Sequence, residues 1–346
     1  MNVTIKKIVV VTFSVLSVIV LLIIGLAWYL VYSPNVSCPS DCDFYVRQGS
    51  DVGDVIDDLS SRKMFVNDNK IVLATIFLGF GDDYYVRPGH YSVRDGMRNI
   101  DIFRMLYHGW QTPVRLTINN LRLPEDFASS VSRQMMVDSI EIMRFLNDSS
   151  SMDSLGFTSR NLFSHIHADT YECWWNASVA EIMAKLVSEN RLFWTAERVN
   201  KAESIGLSPA EVCILASIVD EESHYAPELQ RIAGLYLNRL RSGMPLQSDP
   251  TVKFAERDFA KTRILASDLL TDSPYNTYKF KGLPPGPIRL PNTSTIDAVL
   301  NAETHKYIYM CADPSFNGSH RFAVTLSEHN RNASAYHKAL AKLNKN

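Results

Sequence analysis

The apolar pattern of this chain opens with one long run. From Ile8 to Val31 no charged residue interrupts it, and Lys6 and Lys7 stand just before it. Roughly 24 residues at a rise of about 1.5 Å each cover about 36 Å, enough to cross a hydrocarbon core with some tilt. Trp28 and Tyr29 suit a membrane–water interface, and the two lysines place the N-terminal side in the cytoplasm. The run is longer than a secretory signal's apolar region, and Tyr29, Tyr32, Ser33 and Pro34 make a poor cleavage site. The expected layout is a cytoplasmic stretch at 1–7, a transmembrane helix at 8–31 and a linker at 32–42. Everything after that lies outside the cytoplasm.

Beyond the linker the pattern shortens into alternating elements. Phe44 to Val46 reads as a strand. Val52, Val55, Ile56 and Leu59 fall at the spacing of one helix face, with Ser50 as the expected cap. Ile71 to Leu78 is apolar enough for a second, buried helix. A strand is expected over His90 to Val93, then a helix along Ile100, Ile102, Phe103 and Leu106 that stops at Gly109. Val114 to Ile118 alternates as a strand does. Together these make a small α+β module at 43–118 with nothing catalytic in it. Residues 119–205 read as a mostly helical intermediate region with Ser- and Asp-rich turns from Asn147 to Ser154.

The most informative stretch runs from Gly206 to Asp249 and predicts two amphipathic helices. Ser208, Pro209 and Glu211 form a capping box with proline in the first turn. The apolar stripe then passes through Leu215, Ile218 and Val219 to an acidic tripeptide, Asp220-Glu221-Glu222. Glu222 lies four residues after Ile218 and continues the stripe, whereas Asp220 and Glu221 point about 200° and 100° away. One inward carboxylate is therefore expected. The negative end of the helix and partial burial both favour its protonated form, as a general acid at neutral pH requires.

Composition narrows the field. Lys and Arg number 35 against 37 Asp and Glu, a net charge of −2, so nucleic acid is a poor partner. Of five cysteines only Cys38 and Cys42 are close in sequence, and their pairing depends on an oxidising compartment. His165-Ile166-His167-Ala168-Asp169 has metal-hydrolase spacing if it lies on a strand. No local pattern supplies the remaining ligands, so it reads as a polar strand with incidental histidines, and no metal or cofactor is expected.

From Leu207 onward the sequence resembles the YceG-like, or MltG, family of membrane-anchored endolytic murein transglycosylases. The resemblance rests on several blocks in order over roughly 140 residues, a combination far more specific than any single motif. They are Gly206-Leu207-Ser208-Pro209, Leu215 to Val219 running into Glu222-Ser223, and Leu237-Asn238-Arg239-Leu240. Leu246 to Val252, Tyr275-Asn276-Thr277-Tyr278 and Gly282 to Ile288 follow. Ser294 to Ala298, Tyr307-Ile308-Tyr309, Gly318 to Phe322 and Glu328-His329-Asn330 complete the set. The chain departs from the family at Asn119-Asn120-Leu121, where Pro-Glu-Gly is usual, and at Asn161 to Ala168.

The resemblance implies an α+β chain. Its single N-terminal helix is followed by a LysM-like module, the intermediate region and a mixed α/β catalytic domain at 206–346. It implies cleavage of the MurNAc-β-1,4-GlcNAc bond inside peptidoglycan strands to leave a 1,6-anhydro end, with Glu222 as the catalytic acid and base. Ser223, Asn238, Gln247, Asp249, Tyr275, Asn276, Tyr278 and Phe322 are the candidate glycan contacts, with Tyr275 or Phe322 stacking on a sugar. Pro284 to Pro287 either walls the groove or turns a corner. The implied setting is the bacterial inner membrane, with cell-wall synthases as partners. A hydrolytic muramidase using Asp220 or Asp249, or a non-catalytic peptidoglycan-binding scaffold, are the alternatives.

Overall fold

The computed structural model describes residues 3–39, 42–80 and 86–343. Two units are evident: 1–114 with 172–177, and 115–171 with 178–346.

The first unit begins with helix α1 (Val3–Tyr32), the one helix among the described residues with the length and apolarity to cross a membrane by itself. Its last turn is built into the module that follows. Leu30 and Val31 are buried with Phe44, Ile71, Tyr91 and Phe103 in a single core. That core is enclosed by β1 (Cys42–Val46), α2 (Val52–Ser61), α3 (Asp68–Leu78), β2 (Gly89–Val93) and α4 (Asn99–His108). Strands β1 and β2 are antiparallel, with Phe44 opposite Tyr91. Cys38 and Cys42 are joined by a disulfide.

Two local expectations change here. Asp51, not Ser50, caps α2, because its carboxylate accepts the Asp54 backbone N–H at 2.8 Å while Asp54 bonds back to the Asp51 N–H. Helix α3 is not buried all round. Lys70, Ile71 and Ala74 face the core, but Val72, Leu73, Ile76 and Phe77 point outward, since the sequence is apolar on both faces.

Strand β3 (Val114–Ile118) carries the chain toward the second unit. It pairs with β4 (Asp169–Cys173), and Thr117 and Thr170 meet through their hydroxyls at 3.0 Å. Between these strands lie α5 (Pro124–Ser132), α6 (Ser139–Asn147) and α7 (Ser149–Leu155). Then come α8 (Val179–Phe193), α9 (Ala196–Ser204), α10 (Pro209–Glu222), α11 (Leu229–Arg241), α12 (Asp249–Glu256) and α13 (Thr293–Leu300). The chain ends with an antiparallel pair, β5 (Tyr309–Ala312) and β6 (His320–Ala323), followed by α14 (Leu326–Leu343).

Helix α10 is the axis of this unit. It starts as the sequence predicts, with Ser208 and Glu211 exchanging the two bonds of a capping box and Pro209 in the first turn. It is not amphipathic, however. Every residue from Val212 to Asp220 is buried, because α11 and α13 pack on it and a turn of 3₁₀ helix at Ser159–Ser164 covers a further side. A helix surrounded by protein carries apolar residues on all faces, and a stripe argument then loses its discriminating power.

Candidate functional site

The three carboxylates at the end of α10 have different fates. Asp220 is only 4% exposed, so the expectation of a single inward acid is corrected: the most buried of the three is not Glu222. Its oxygens accept from the Asn292 side chain at 2.9 and 3.0 Å, from the Asn292 backbone N–H at 3.2 Å and from the Thr295 hydroxyl at 2.6 Å. Asn292 is the residue before α13, and its amide is turned to Asp220 instead of capping its own helix. A buried carboxylate saturated in this way holds α10 to α13 and has no lone pair left for a water. Glu221 is neutralised by two arginines, Arg122 at 2.9 Å and Arg289 at 2.9 Å. Arg289 also donates to Asn120, which ties the divergent Asn119-Asn120-Leu121 segment to the same cluster.

Glu222 alone forms no ion pair among the described residues. One of its oxygens, Oε1, accepts two hydroxyls, the Tyr236 phenol at 2.7 Å and the Ser248 Oγ at 2.5 Å. The side chain keeps partial solvent access and opens on a cleft of about 540 Å³. Burial pushes its pKa above the ordinary carboxylate value. The two hydroxyls oppose this by stabilising the anion, nearby Asp249 reinforces it and His320 opposes it. The position at the negative end of α10 acts in the same upward direction.

The two hydroxyls are themselves fixed. Tyr236 is buried on α11, as are Leu235 and Leu237 on either side of it in sequence. Ser248 is fully buried and stands at the N-cap position of α12, yet its side chain makes no cap bond because it is directed at Glu222. Its backbone N–H donates to the Thr277 hydroxyl at 3.0 Å, and its carbonyl accepts from Thr251 at 2.6 Å. Arg239, also buried, grips the loop before it through the Leu246 carbonyl at 2.7 Å and the Gln247 side chain at 3.3 Å. Gln247 adopts a φ of 51°, a left-handed conformation that costs a non-glycine residue energy and marks a loop held in place by its surroundings.

Several proposed glycan contacts are engaged elsewhere. Asn238 spends its amide on the carbonyls of His305 at 2.8 Å and Tyr307 at 3.0 Å, so it fastens α11 to the chain before β5. Asn276 is wholly buried and bridges the carbonyls of Leu269 and Thr271. Tyr275 packs on Phe254 with ring centres 4.7 Å apart, and Phe322 packs between Tyr307 and the Arg231 guanidinium. These four residues are framework, and neither aromatic lines the Glu222 cleft. Gln247 is held by Arg239. Ser223 does line the cleft, though its hydroxyl accepts the Tyr225 N–H at 3.0 Å. Asp249 is exposed and accepts the Tyr278 phenol at 2.6 Å; burial and this contact both raise the Tyr278 pKa.

The cleft instead presents aromatic rings from Phe316 and Tyr336, 5.6 Å apart, together with His224 and His320. His320 is braced by Glu228 through both its ring and its backbone N–H, at 3.1 and 3.0 Å. The Pro284–Pro287 loop is mostly buried and turns a corner. A side chain at Gly286 would collide with the Arg160 carbonyl, and Ile288 N–H donates to Ser217 of α10. His165 and His167 do not share a strand face, as β4 begins only at Asp169. His165 stacks on Phe157 and His167 on Phe193, and burial lowers the pKa of both.

One carboxyl with a raised pKa, wired to two buried hydroxyls, thus stands at the mouth of a polar and aromatic cleft on an α/β framework. Residues 44–335 match the model of the YceG-like family, and the chain belongs to that family. It is 41% identical over 130 residues to the endolytic murein transglycosylase of Bacillus subtilis, covering 38% of this chain and 35% of that protein. To the endolytic murein transglycosylase of Streptococcus pneumoniae strain R6 it is 24% identical over 285 residues, covering 72% of this chain and 51% of the relative. The chain therefore spans at most about half the length of these two curated relatives. The crystal structure of a YceG-like protein from Listeria monocytogenes shares the fold, with a TM-score of 0.55 at 24% identity over 84% of this chain and 99% of that one.

Proposed function

We propose that the protein is an endolytic lytic transglycosylase that cuts the MurNAc-β-1,4-GlcNAc bond within peptidoglycan strands. The observation that carries this reading is the isolation of Glu222. Its two neighbours in sequence are saturated by structural partners, while Glu222 keeps a raised pKa and an opening to the cleft. In its protonated form it donates to the glycosidic oxygen as positive charge develops at C1. The resulting carboxylate, stabilised by Tyr236 and Ser248, accepts the proton of the muramoyl C6 hydroxyl as that oxygen closes on C1. The nucleophile belongs to the substrate, so no second carboxylate and no water are needed. The saturation of Asp220 removes it as a water-activating base. Asp249, exposed and near Glu222, serves in this reading to favour the protonated acid.

Phe316 and Tyr336 offer the apolar faces on which sugar rings stack, in place of Tyr275 and Phe322. Residues 43–118 are read as a LysM-like glycan-holding module, supported by two paired strands that enclose two helices. Helix α1 is compatible with a single-pass membrane anchor, and Lys6 and Lys7 support a cytoplasmic N-terminus. In this reading the catalytic region faces the outer side of the inner membrane, and cell-wall synthases are its partners. Purified peptidoglycan incubated with the protein tests the activity. Strands ending in 1,6-anhydromuramic acid support it, and reducing ends show hydrolysis instead.

A further inference from the structure

The module after α1 is not tethered to it by a loose linker. The Asn99 side chain donates to the Leu30 carbonyl at 2.8 Å, and Lys70 donates to the carbonyls of Pro34 at 2.7 Å and Ser33 at 3.1 Å. No basic residue lies in the last turn of α1, so Lys70 supplies from α3 the positive charge that a helix C-terminus attracts. Its ammonium also sits 4.8 Å over the Tyr29 ring. Helix α3 is thus fastened directly to the last turns of α1.

Its outward face is apolar. Val72, Leu73, Ile76 and Phe77 fall on one side at i, i+1, i+4 and i+5, and Ile76 is 71% exposed. Val66, just before the helix, is 73% exposed, and no charged residue occurs from Ile71 to Leu78. Among the described residues the packing side of α3 is made by Lys70, Ile71 and Ala74, so this outward face is not part of the unit's core. The last turns of α1 expose Trp28, Tyr29 and Tyr32, side chains suited to the interfacial layer of a bilayer.

Counting about 20 residues of α1 for the hydrocarbon core from Ile8 brings the far boundary to about Ala27, immediately before these aromatics. We propose that the outer face of α3 lies in the interfacial layer of the leaflet from which α1 emerges, so that the anchor and α3 form one two-point attachment. The lipid surface is the occupant because α3 packs on α1 and Lys70, at its start, is bound to Ser33 and Pro34 and lies over Tyr29, at the end of the apolar span. An amphipathic helix seated this way inserts its apolar side by about 5–10 Å. The inference rests on reading α1 as a membrane span, and the test separates the two.

The full chain, with half-buried Cys311 replaced by Ser, is placed in phosphatidylethanolamine–phosphatidylglycerol nanodiscs and spin-labelled at one introduced cysteine at a time. The positions are Ile76→Cys and Val72→Cys on α3, Leu22→Cys in the span, and Asp57→Cys on the exposed side of α2. Labels at Ile76 and Val72 are expected to relax with dissolved oxygen and to be shielded from a water-soluble nickel chelate, as at Leu22 and unlike Asp57. Chelate access at Ile76 and Val72 with Leu22 in lipid overturns the inference while leaving the anchor intact. Shielding of the α3 labels from both reagents also overturns it and assigns the face to a protein contact. Chelate access at Leu22 overturns the anchor reading, and the inference with it.

Discussion

Replacing Tyr236 by Phe removes one oxygen and leaves the buried ring in place. The lost bond is the 2.7 Å phenol donation to Glu222 Oε1, while the Ser248 donation at 2.5 Å survives and keeps the carboxyl oriented. A hydrogen bond to an ionised group contributes about 1.5–3 kcal/mol and one between neutral groups about 0.5–1.5 kcal/mol. The variant therefore penalises ionised Glu222 by about 1–1.5 kcal/mol more than protonated Glu222, roughly tenfold in proton affinity. In the proposed reaction the acid must start protonated, so the alkaline limb of the pH–activity profile is expected to move to higher pH by about one unit. The rate on the plateau falls, because the carboxylate that must take up the C6 proton is less well held. The assay is release of anhydro-ended fragments from peptidoglycan across a pH series, with circular dichroism at each pH to verify folding. An unmoved limb, or one displaced to lower pH, would refute the assignment of Tyr236 as the anion's partner.

Other expectations follow from the same contacts. Asp220→Ala strips the partners of Asn292 and Thr295 and should cost about 3–5 kcal/mol in urea unfolding, as loss of a buried charged partner does. A loss under about 1 kcal/mol would show that the α10–α13 junction does not depend on it. Because Glu222 binds its proton more tightly folded than unfolded, its contribution is fully present at pH below the usual glutamate value and is lost as pH rises through the raised folded value. Glu222→Gln lacks that loss, so its melting temperature should overtake the wild type's progressively with pH, and parallel curves would argue against a raised pKa. Gly286→Ala forces a methyl against the Arg160 carbonyl and should destabilise by about 1–3 kcal/mol, read from the thermal midpoint.

Much of the architecture is legible in the sequence because local chemistry marks it. The Ser208–Glu211 capping box, the Gly109 stop of α4 with its φ of 68° and the alternation of β3 are all set by neighbours in the chain. The helical stripe that points to Glu222 is a weak reason for choosing it, since Val212 to Asp220 of α10 are all buried. Its real distinction is electrostatic and long-range: Arg289 and Asn292, about 70 residues later, consume its two neighbours. Tyr236 and Ser248 carry no signal of their own in the sequence, because one reads as a core aromatic and the other as an ordinary N-cap. The Ser248-Asp249-Pro250 start of α12 was a usable signal for a buried hydroxyl, but its aim at Glu222 is a tertiary fact. Asn238 and Asn276 looked suited to sugars for the reason that makes them good loop braces: an amide donates two hydrogen bonds, and both went to backbone carbonyls. The outward apolar face of α3 was hidden likewise, as apolar content alone does not separate a core helix from one that meets lipid.

In the proposed reaction Glu222 alone carries the proton transfers of a non-hydrolytic cut. Peptidoglycan digested side by side with wild-type and Glu222→Gln protein, and analysed by mass spectrometry, tests it most directly. Internal fragments ending in 1,6-anhydromuramic acid are expected from the wild type and none above background from the variant. Equal release by the two proteins, or reducing-end muramic acid from the wild type, would contradict it.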